Sequence, residues 1–175
     1  IKPRAVKKLV DKYFGEIKRG PEITNPEPWH VKLTETKKVY HEDNFARSPR
    51  ITMAFPTVNQ LDDDAPALEL LAQLLGDGKK APLYKVIVQE RKLAPNISSF
   101  NRAQEIAGAF NISSTAFPNT NLTDVEKAIF DAFERFEIDK FKAEDLNRLK
   151  AKYETGFYSG ISSVLNKSFQ LGLYN

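Results

Sequence analysis

Residues 74–85 read Leu-Leu-Gly-Asp-Gly-Lys-Lys-Ala-Pro-Leu-Tyr-Lys, and this stretch decides the fold. The sequence continues as Val-Ile-Val-Gln-Glu-Arg-Lys-Leu-Ala over residues 86–94 and reaches Ile-Ser-Ser-Phe at 97–100. A leucine-rich helix is predicted to end at Gly76, because glycine commonly follows the last residue of a helix. A small basic turn comes next, and Pro82 suits the first turn of a second helix. The stretch therefore predicts two helices joined by a tight turn and followed by a strand.

Hydrophobic spacing extends this pattern over the rest of the chain. Helical spacing predicts helices near 62–75, 80–92, 121–137 and 143–157, and an earlier one from Ala5 to Phe14. Alternation predicts strands near 36–42, 49–56, 95–103 and 106–116, the last two forming a hairpin, and a short strand at 29–33. The helix starts are marked by Asp62-Asp63-Asp64 and by the capping-box pattern Thr123-x-x-Glu126.

This order of elements predicts an α+β fold. Four of the predicted strands, near 36–42, 49–56, 95–103 and 106–116, are expected to form one sheet, with helices packed on one of its faces in two layers. Six side chains are expected in the core between the layers: Leu71, Leu75, Ile87, Phe110, Ile129 and Phe133.

Length and composition indicate one domain of ordinary size. The chain has 175 residues, 41% of them hydrophobic and 28% charged, and no cysteine, which excludes disulfides and thiolate metal sites. We find no run of the ~18 apolar residues that a membrane-spanning helix requires. Three prolines and a glycine between Gly20 and Pro28 predict a linker over 21–28, which separates residues 1–20 from a folded domain at 29–175. Both termini are expected to be cut ends within a longer protein.

Charge is unevenly distributed along the chain. Residues 1–50 carry 12 Lys/Arg against 7 Asp/Glu, whereas the remaining residues carry 14 against 16. A basic leading segment favours an acidic partner. The alternative is a solvated helix face followed by a linker.

Residues with catalytic or metal-binding chemistry are scattered along the chain. His30 and His41, the only histidines, are 11 residues apart on segments predicted to be extended, which does not match a zinc site on a helix. The Asp62-Asp63-Asp64 run lacks the further ligands of a calcium loop, and Gly76–Lys80 lacks the spacing of a phosphate-binding loop. No serine lies in a nucleophile elbow, and no aromatic sheet motif indicates nucleic-acid binding. The sequence therefore predicts no catalytic residue and no metal ligand in this chain.

The segment Leu-Leu-Gly-x-Gly-x-x-x-Pro-Leu-Tyr, together with its continuation to Ala94, resembles insulinase/pitrilysin-type zinc metallopeptidases, the group that includes the mitochondrial processing peptidases. The resemblance runs from Tyr13-Phe14-Gly15-Glu16-Ile17 to Glu154-x-x-Phe157. It implies that residues 1–20 are the trailing helix of a preceding subdomain and that 29–175 is the second subdomain of one half, which does not bind zinc. The family's zinc motif H-x-x-E-H is absent here, so zinc is implied only for the parent protein.

The same resemblance limits which catalytic residues can be carried over. In the other half of such peptidases, an Arg and a Tyr on a segment like Arg-Glu-x-x-Gly-Leu-Ala-Tyr stabilise the reacting carbonyl. Gln89 and Pro95 stand at those places here, and the spacing is one residue shorter. The chain therefore resembles more closely the second subdomain of the zinc-bearing half.

Two functions are compatible with this resemblance. The first is a scaffold and substrate-chamber wall of a zinc endopeptidase, with the zinc-bearing subdomain, the second half of the parent and an unfolded peptide as partners. The second is a structural, non-catalytic homologue similar to the core subunits of respiratory complexes. An H-x-x-E-H motif upstream of Ile1 would distinguish them. The resemblance alone suggests a bacterial periplasmic setting, and we expect neither nucleic acid as a partner nor a membrane span.

The resemblance also implies a place for substrate. A strand of the second subdomain can hold a peptide as an additional strand, which requires a free edge flanked by small side chains. Ser98, Ser99 and Phe100 are the predicted substrate-binding residues, with Phe100 as a pocket wall. The alternative is that this strand is interior and has no free edge.

Overall fold

The computed structural model describes residues 2–24, 26–29 and 31–173, and it shows the α+β fold that the sequence predicts. Its helices are α1 (Pro3–Phe14), α2 (Ala65–Gly76), α3 (Pro82–Tyr84), α4 (Leu122–Asp139), α5 (Ala143–Ser162) and α6 (Val164–Leu173). Its strands are β1 (Arg50–Thr57), β2 (Ser98–Ala103) and β3 (Gly108–Thr115). The helix α3 continues directly as a π-helix over Lys85–Glu90.

The sheet is antiparallel, with strand order β1-β3-β2. The predicted hairpin is confirmed, because β2 pairs with β3 with Ser98 opposite Ser113 and Ala103 opposite Gly108. On its other side β3 pairs with β1, with Met53 opposite Ile112. In the described part of the chain, β1 and β2 are thus the two edge strands.

Helices cover one face of this sheet. The expected core residues Leu75, Ile87, Phe110 and Ile129 are buried, and Leu71 and Phe133 are half-buried against them. The largest fully buried apolar side chains come from both the sheet and the helices: Leu83, Val86, Ile87, Ile112, Val125, Ile129 and Leu149. The strongest hydrophobic periodicities in the sequence therefore do mark the core.

The predicted strand at 36–42 is wrong. Residues 36–42 are irregular, and Val39 and Tyr40 are 91% and 83% exposed. These two apolar residues are adjacent, so in a strand they would face opposite sides and could not form one buried stripe. The segment instead reaches the helix layer through Lys38, whose Nζ donates to both carboxylate oxygens of Glu126 at 2.7 and 2.9 Å.

The strand predicted at 29–33 is also not observed. Trp29 and residues 31–33 are irregular, and His30 lies outside the described residues. Trp29 N donates to the carbonyl oxygen of Ile106 at 3.1 Å, which ties this part of the chain to the hairpin turn between β2 and β3.

The capping box predicted at Thr123 is wrong as well. The N-cap of α4 is Asn121, whose Oδ1 accepts a hydrogen bond from Thr123 N at 2.9 Å. Thr123 is therefore already helical, and Glu126 binds Lys38 instead of capping the helix. Ahead of α2, the Asp62 carboxylate accepts from Asp64 N at 3.0 Å, so the acidic run does stabilise the turn that leads into a helix.

Candidate functional site

The strand β2 lies at an edge of the sheet. Its side chains alternate between the face that packs against the helices and the opposite face, which we call the open face. Ser99, Asn101 and Ala103 are half-buried and share a face with Phe110 and Ile112 of the core. Ser98, Phe100 and Arg102 are exposed on the opposite face, which no helix covers in the described residues. The structure therefore places the predicted Ser98 and Phe100 together and Ser99 on the other side of the strand.

The backbone of β2 has hydrogen-bonding groups that point away from the sheet. Gln104 N donates to the carbonyl oxygen of Ala107 at 3.0 Å, so these two residues form a hydrogen-bonded pair that continues the β2–β3 register. In an antiparallel ladder, hydrogen-bonded pairs recur every second residue. Ser98, Phe100 and Arg102 accordingly bond to β3. The N–H and C=O groups of Ser99, Asn101 and Ala103 point outward, and the described backbone offers them no partner.

The helix α2 packs closely against the Ser99 end of this strand. Ser99 Oγ donates to the carbonyl oxygen of Ala72 at 2.6 Å. A Cβ added to Gly76 would lie 2.2 Å from Ser99 Oγ and 3.1 Å from Ser99 N, so a larger residue there would displace the Ser99 hydroxyl or the last turn of α2. Ser99 is thus a packing residue on its side-chain face and an edge residue through its backbone.

The open face beside β2 is polar and carries positive charge. Ser98, Ser113 and Thr52 form a row of hydroxyls across the three strands, in which Ser98 Oγ donates to the Ser113 carbonyl oxygen at 3.3 Å. Arg50 Nε and Nη2 donate to Ser113 Oγ at 3.1 and 3.0 Å. Phe100 is 46% exposed on the same face.

Two arginines on this face were missed by the sequence analysis. Arg102 follows Phe100 at the two-residue spacing that puts strand residues on one face, which is the signal that could have found it. Arg50 reaches the same face only because β1 pairs with β3, a pairing between segments more than 50 residues apart. The local sequence around Arg50 does not indicate which strand it pairs with.

The described residues contain no group of three or more His, Cys, Asp or Glu side chains that could hold a metal ion. His41 lies in the irregular segment before β1, and His30 lies outside the described residues. No helix in that same part of the chain is long and apolar enough to cross a membrane.

The stretch that replaces the family's Arg and Tyr is used for packing. Glu90 accepts a hydrogen bond from Arg135 at 2.6 Å, and Arg91 forms an ion pair with Asp131, so the first part of this segment contacts α4. Gln89 is exposed, and Pro95 follows the turn after the π-helix. These contacts give the segment a structural role on the helix side of the sheet.

Tyr153, away from the sheet edge, has a raised pKa. Partial burial, helped by the hydrogen bond that Tyr153 donates to Glu69 at 2.5 Å, raises the pKa of Tyr153 to about 12. The hydrogen bond of this tyrosine joins α5 to α2.

Comparison with known proteins identifies the family. Residues 1–153 match the model of the peptidase M16 inactive domain. The chain belongs to this family. This confirms the resemblance to a non-zinc-binding subdomain of insulinase-type peptidases, and nothing in the comparisons favours the respiratory-complex alternative.

Relatives agree with this assignment in sequence and in fold. The zinc protease PqqE of Helicobacter pylori is 24% identical over 169 residues, which are 93% of this chain and 37% of that protein. A crystal structure of a protease from Helicobacter pylori superposes with a TM-score of 0.79 at 22% identity, covering 99% of this chain and 43% of that one. The peptidase M16 inactive domain from Pseudomonas fluorescens gives a TM-score of 0.75 at 18% identity, with coverages of 99% and 40%. The chain thus spans less than half the length of these relatives.

Proposed function

We propose that this chain is a non-catalytic domain of a zinc-dependent endopeptidase, where it serves as scaffold and as one wall of the substrate chamber. The observation that carries the proposal is the match of residues 1–153 to an inactive peptidase domain. Zinc would be held by a separate subdomain of the parent, since the described residues of this chain supply no ligand group. That subdomain and the second half of the parent are the proposed protein partners.

The proposed role in substrate binding is strand addition at β2. An unfolded peptide can satisfy its backbone groups on an edge strand whether or not its side chains fit, which suits an enzyme that acts on extended chains. Ser99, Asn101 and Ala103 offer three outward N–H and C=O pairs over six residues of strand. Each backbone hydrogen bond gained contributes about 0.5–1.5 kcal/mol net. Ser98 and Phe100 would then flank the bound peptide on the open face.

A substitution at Ser99 tests strand addition. Ser99→Pro removes one outward N–H and leaves the β3 ladder intact, because Ser99 does not bond to β3. In the full-length parent we expect KM for long peptides to rise about threefold to tenfold, and KM for peptides too short to reach β2 to stay unchanged.

Ser99→Ala is the matched control for this substitution. It also loses the Ser99 hydroxyl bond to Ala72, but it keeps the backbone donor. A rise in KM that is equal for both variants, or equal for long and short peptides, would contradict strand addition.

The parent's domain organisation is proposed from α1. No residue of α1 is buried, and its apolar stripe is exposed, with Leu9, Val10 and Tyr13 at 54%, 48% and 66%. A stripe of this kind on a helix normally packs against a partner surface. We propose that residues 1–20 form the trailing helix of the preceding subdomain, that 21–28 is the linker, and that 29–175 is the second subdomain.

A further inference from the structure

The free edge of β2 presents a fixed order of side chains to an added strand. In an antiparallel addition, the outward-pointing residues of β2 form the hydrogen-bonded pairs with the peptide. Phe100 and Arg102 then fall in the non-hydrogen-bonded pairs, where the facing Cα atoms are about 4.5 Å apart and side chains are closest. These two positions therefore have the strongest influence on which peptide binds. The inference rests on the strand addition proposed above.

Arg102 supplies a positive charge without a partner in the described structure. The sequences of the three strands contain two arginines, Arg50 and Arg102, and no acidic residue. Arg102 is exposed and makes no ion pair among the described residues, including none with Glu105 in the hairpin turn. A carboxylate placed opposite it in the added strand would form a cross-strand pair of opposite charge.

Phe100 supplies an apolar surface two residues away. The residue is 46% exposed, and its neighbours in the same row across the sheet are Asn111 and Ala54. An aromatic or β-branched side chain directly opposite would cover this ring. The next such position, opposite Ser98, offers only a hydroxyl.

We propose that the β2 edge selects extended peptides with an acidic residue opposite Arg102 and an apolar residue opposite Phe100. Because an antiparallel peptide runs against β2, it meets Arg102 first. The preferred sequence is therefore acidic–small–apolar in the N-to-C direction. Residues between these positions face α2 and Ser99, Asn101 or Ala103, so small side chains are preferred there.

Binding of labelled peptides to the 175-residue chain tests this specificity. Three fluorescein-labelled nonapeptides are compared by anisotropy: one with Glu-Ala-Phe in the centre of a Ser/Thr/Ala background, one with Lys-Ala-Phe and one with Phe-Ala-Glu. The Glu-Ala-Phe peptide is expected to bind about threefold to tenfold more tightly than each of the others at 50 mM salt. The preference for Glu over Lys is expected to shrink at 1 M salt, where the screening length falls to about 3 Å.

Charge reversal at Arg102 tests whether this residue determines which peptide binds more tightly. Arg102→Glu is expected to reverse the order of the Glu-Ala-Phe and Lys-Ala-Phe peptides. Arg148→Glu makes the same change in charge at an exposed position of α5, away from the sheet, and is expected to leave the order unchanged.

The outcomes separate this inference from strand addition itself. If the peptides bind and Ser99→Pro weakens them more than Ser99→Ala, strand addition holds. Equal affinity for the Glu and Lys peptides, or no reversal with Arg102→Glu, would then overturn the inference alone. If none of the peptides binds, both strand addition at β2 and the selection by Arg102 and Phe100 are wrong.

Discussion

Lys92 has a left-handed backbone conformation that the turn after the π-helix requires. Lys92 has φ of 50°, in the left-handed region, where the turn lets Leu93 N donate to the carbonyl oxygen of Ile87 at 2.9 Å and so closes the π-helix. Glycine adopts this region without the Cβ clash that costs other residues about 1–2 kcal/mol.

Lys92→Gly is therefore expected to stabilise the domain. We expect a gain of about 0.5–1 kcal/mol in the free energy of unfolding, since relief of the strain exceeds the extra entropy of glycine in the unfolded chain. Lys85→Gly is the matched control: Lys85 has φ of −57° within the helix, so the same change there should cost about 1 kcal/mol. Urea denaturation of both variants measures the difference. A loss of stability with Lys92→Gly would mean that the lysine side chain contributes more than its backbone strain costs.

At the scale of elements, the ends of α4 show which local signals determine a boundary. Asn121 precedes Thr123 by two residues and is at least as good an N-cap, so the helix begins one residue after Asn121 and the capping-box pattern is not used. Asn121→Ala should cost about 1 kcal/mol in the free energy of unfolding. Thr123→Ala should change it by less than about 0.5 kcal/mol, because Thr123 contributes its backbone N–H to the cap and not its side chain. If urea denaturation showed a larger loss of stability for Thr123→Ala than for Asn121→Ala, Thr123 and not Asn121 would be the N-cap.

The elements that the sequence predicted correctly are those with long and regular hydrophobic periods. The helices α2 and α4, and α3 with the π-helix that continues it, each bury several side chains whose spacing is visible in the sequence, whereas α5 buries only Leu149. The segment at 36–42 has only two adjacent apolar residues, and no comparable pattern exists there. The edge position of β2 could not be predicted, because strand order depends on pairing between segments distant in sequence. The separation of Ser99 from Ser98 and Phe100 was predictable from the alternation of a strand alone.

At the scale of the whole molecule, α1 differs from α2, α4 and α5, each of which buries at least one side chain. It is amphipathic and 12 residues long, yet none of its residues is buried. Isolated helices of this length are marginal in water, so tertiary contacts normally stabilise them. In the 175-residue chain, the amides of α1 should therefore exchange with solvent far faster than those of α4.

The final prediction places α1 against the preceding subdomain of the parent. Leu9→Ser on the apolar stripe should leave the unfolding of the 175-residue chain unchanged within about 0.5 kcal/mol, because Leu9 contacts no core there. In the longer parent it should cost about 2 kcal/mol, the value of a leucine side chain transferred from a buried site to water, and it should speed amide exchange in α1. Lys8→Ser, on the opposite side of the helix, should be neutral in both proteins. Equal effects of Leu9→Ser and Lys8→Ser in the parent would show that the stripe packs against nothing, and the proposed organisation of residues 1–20 would then be wrong.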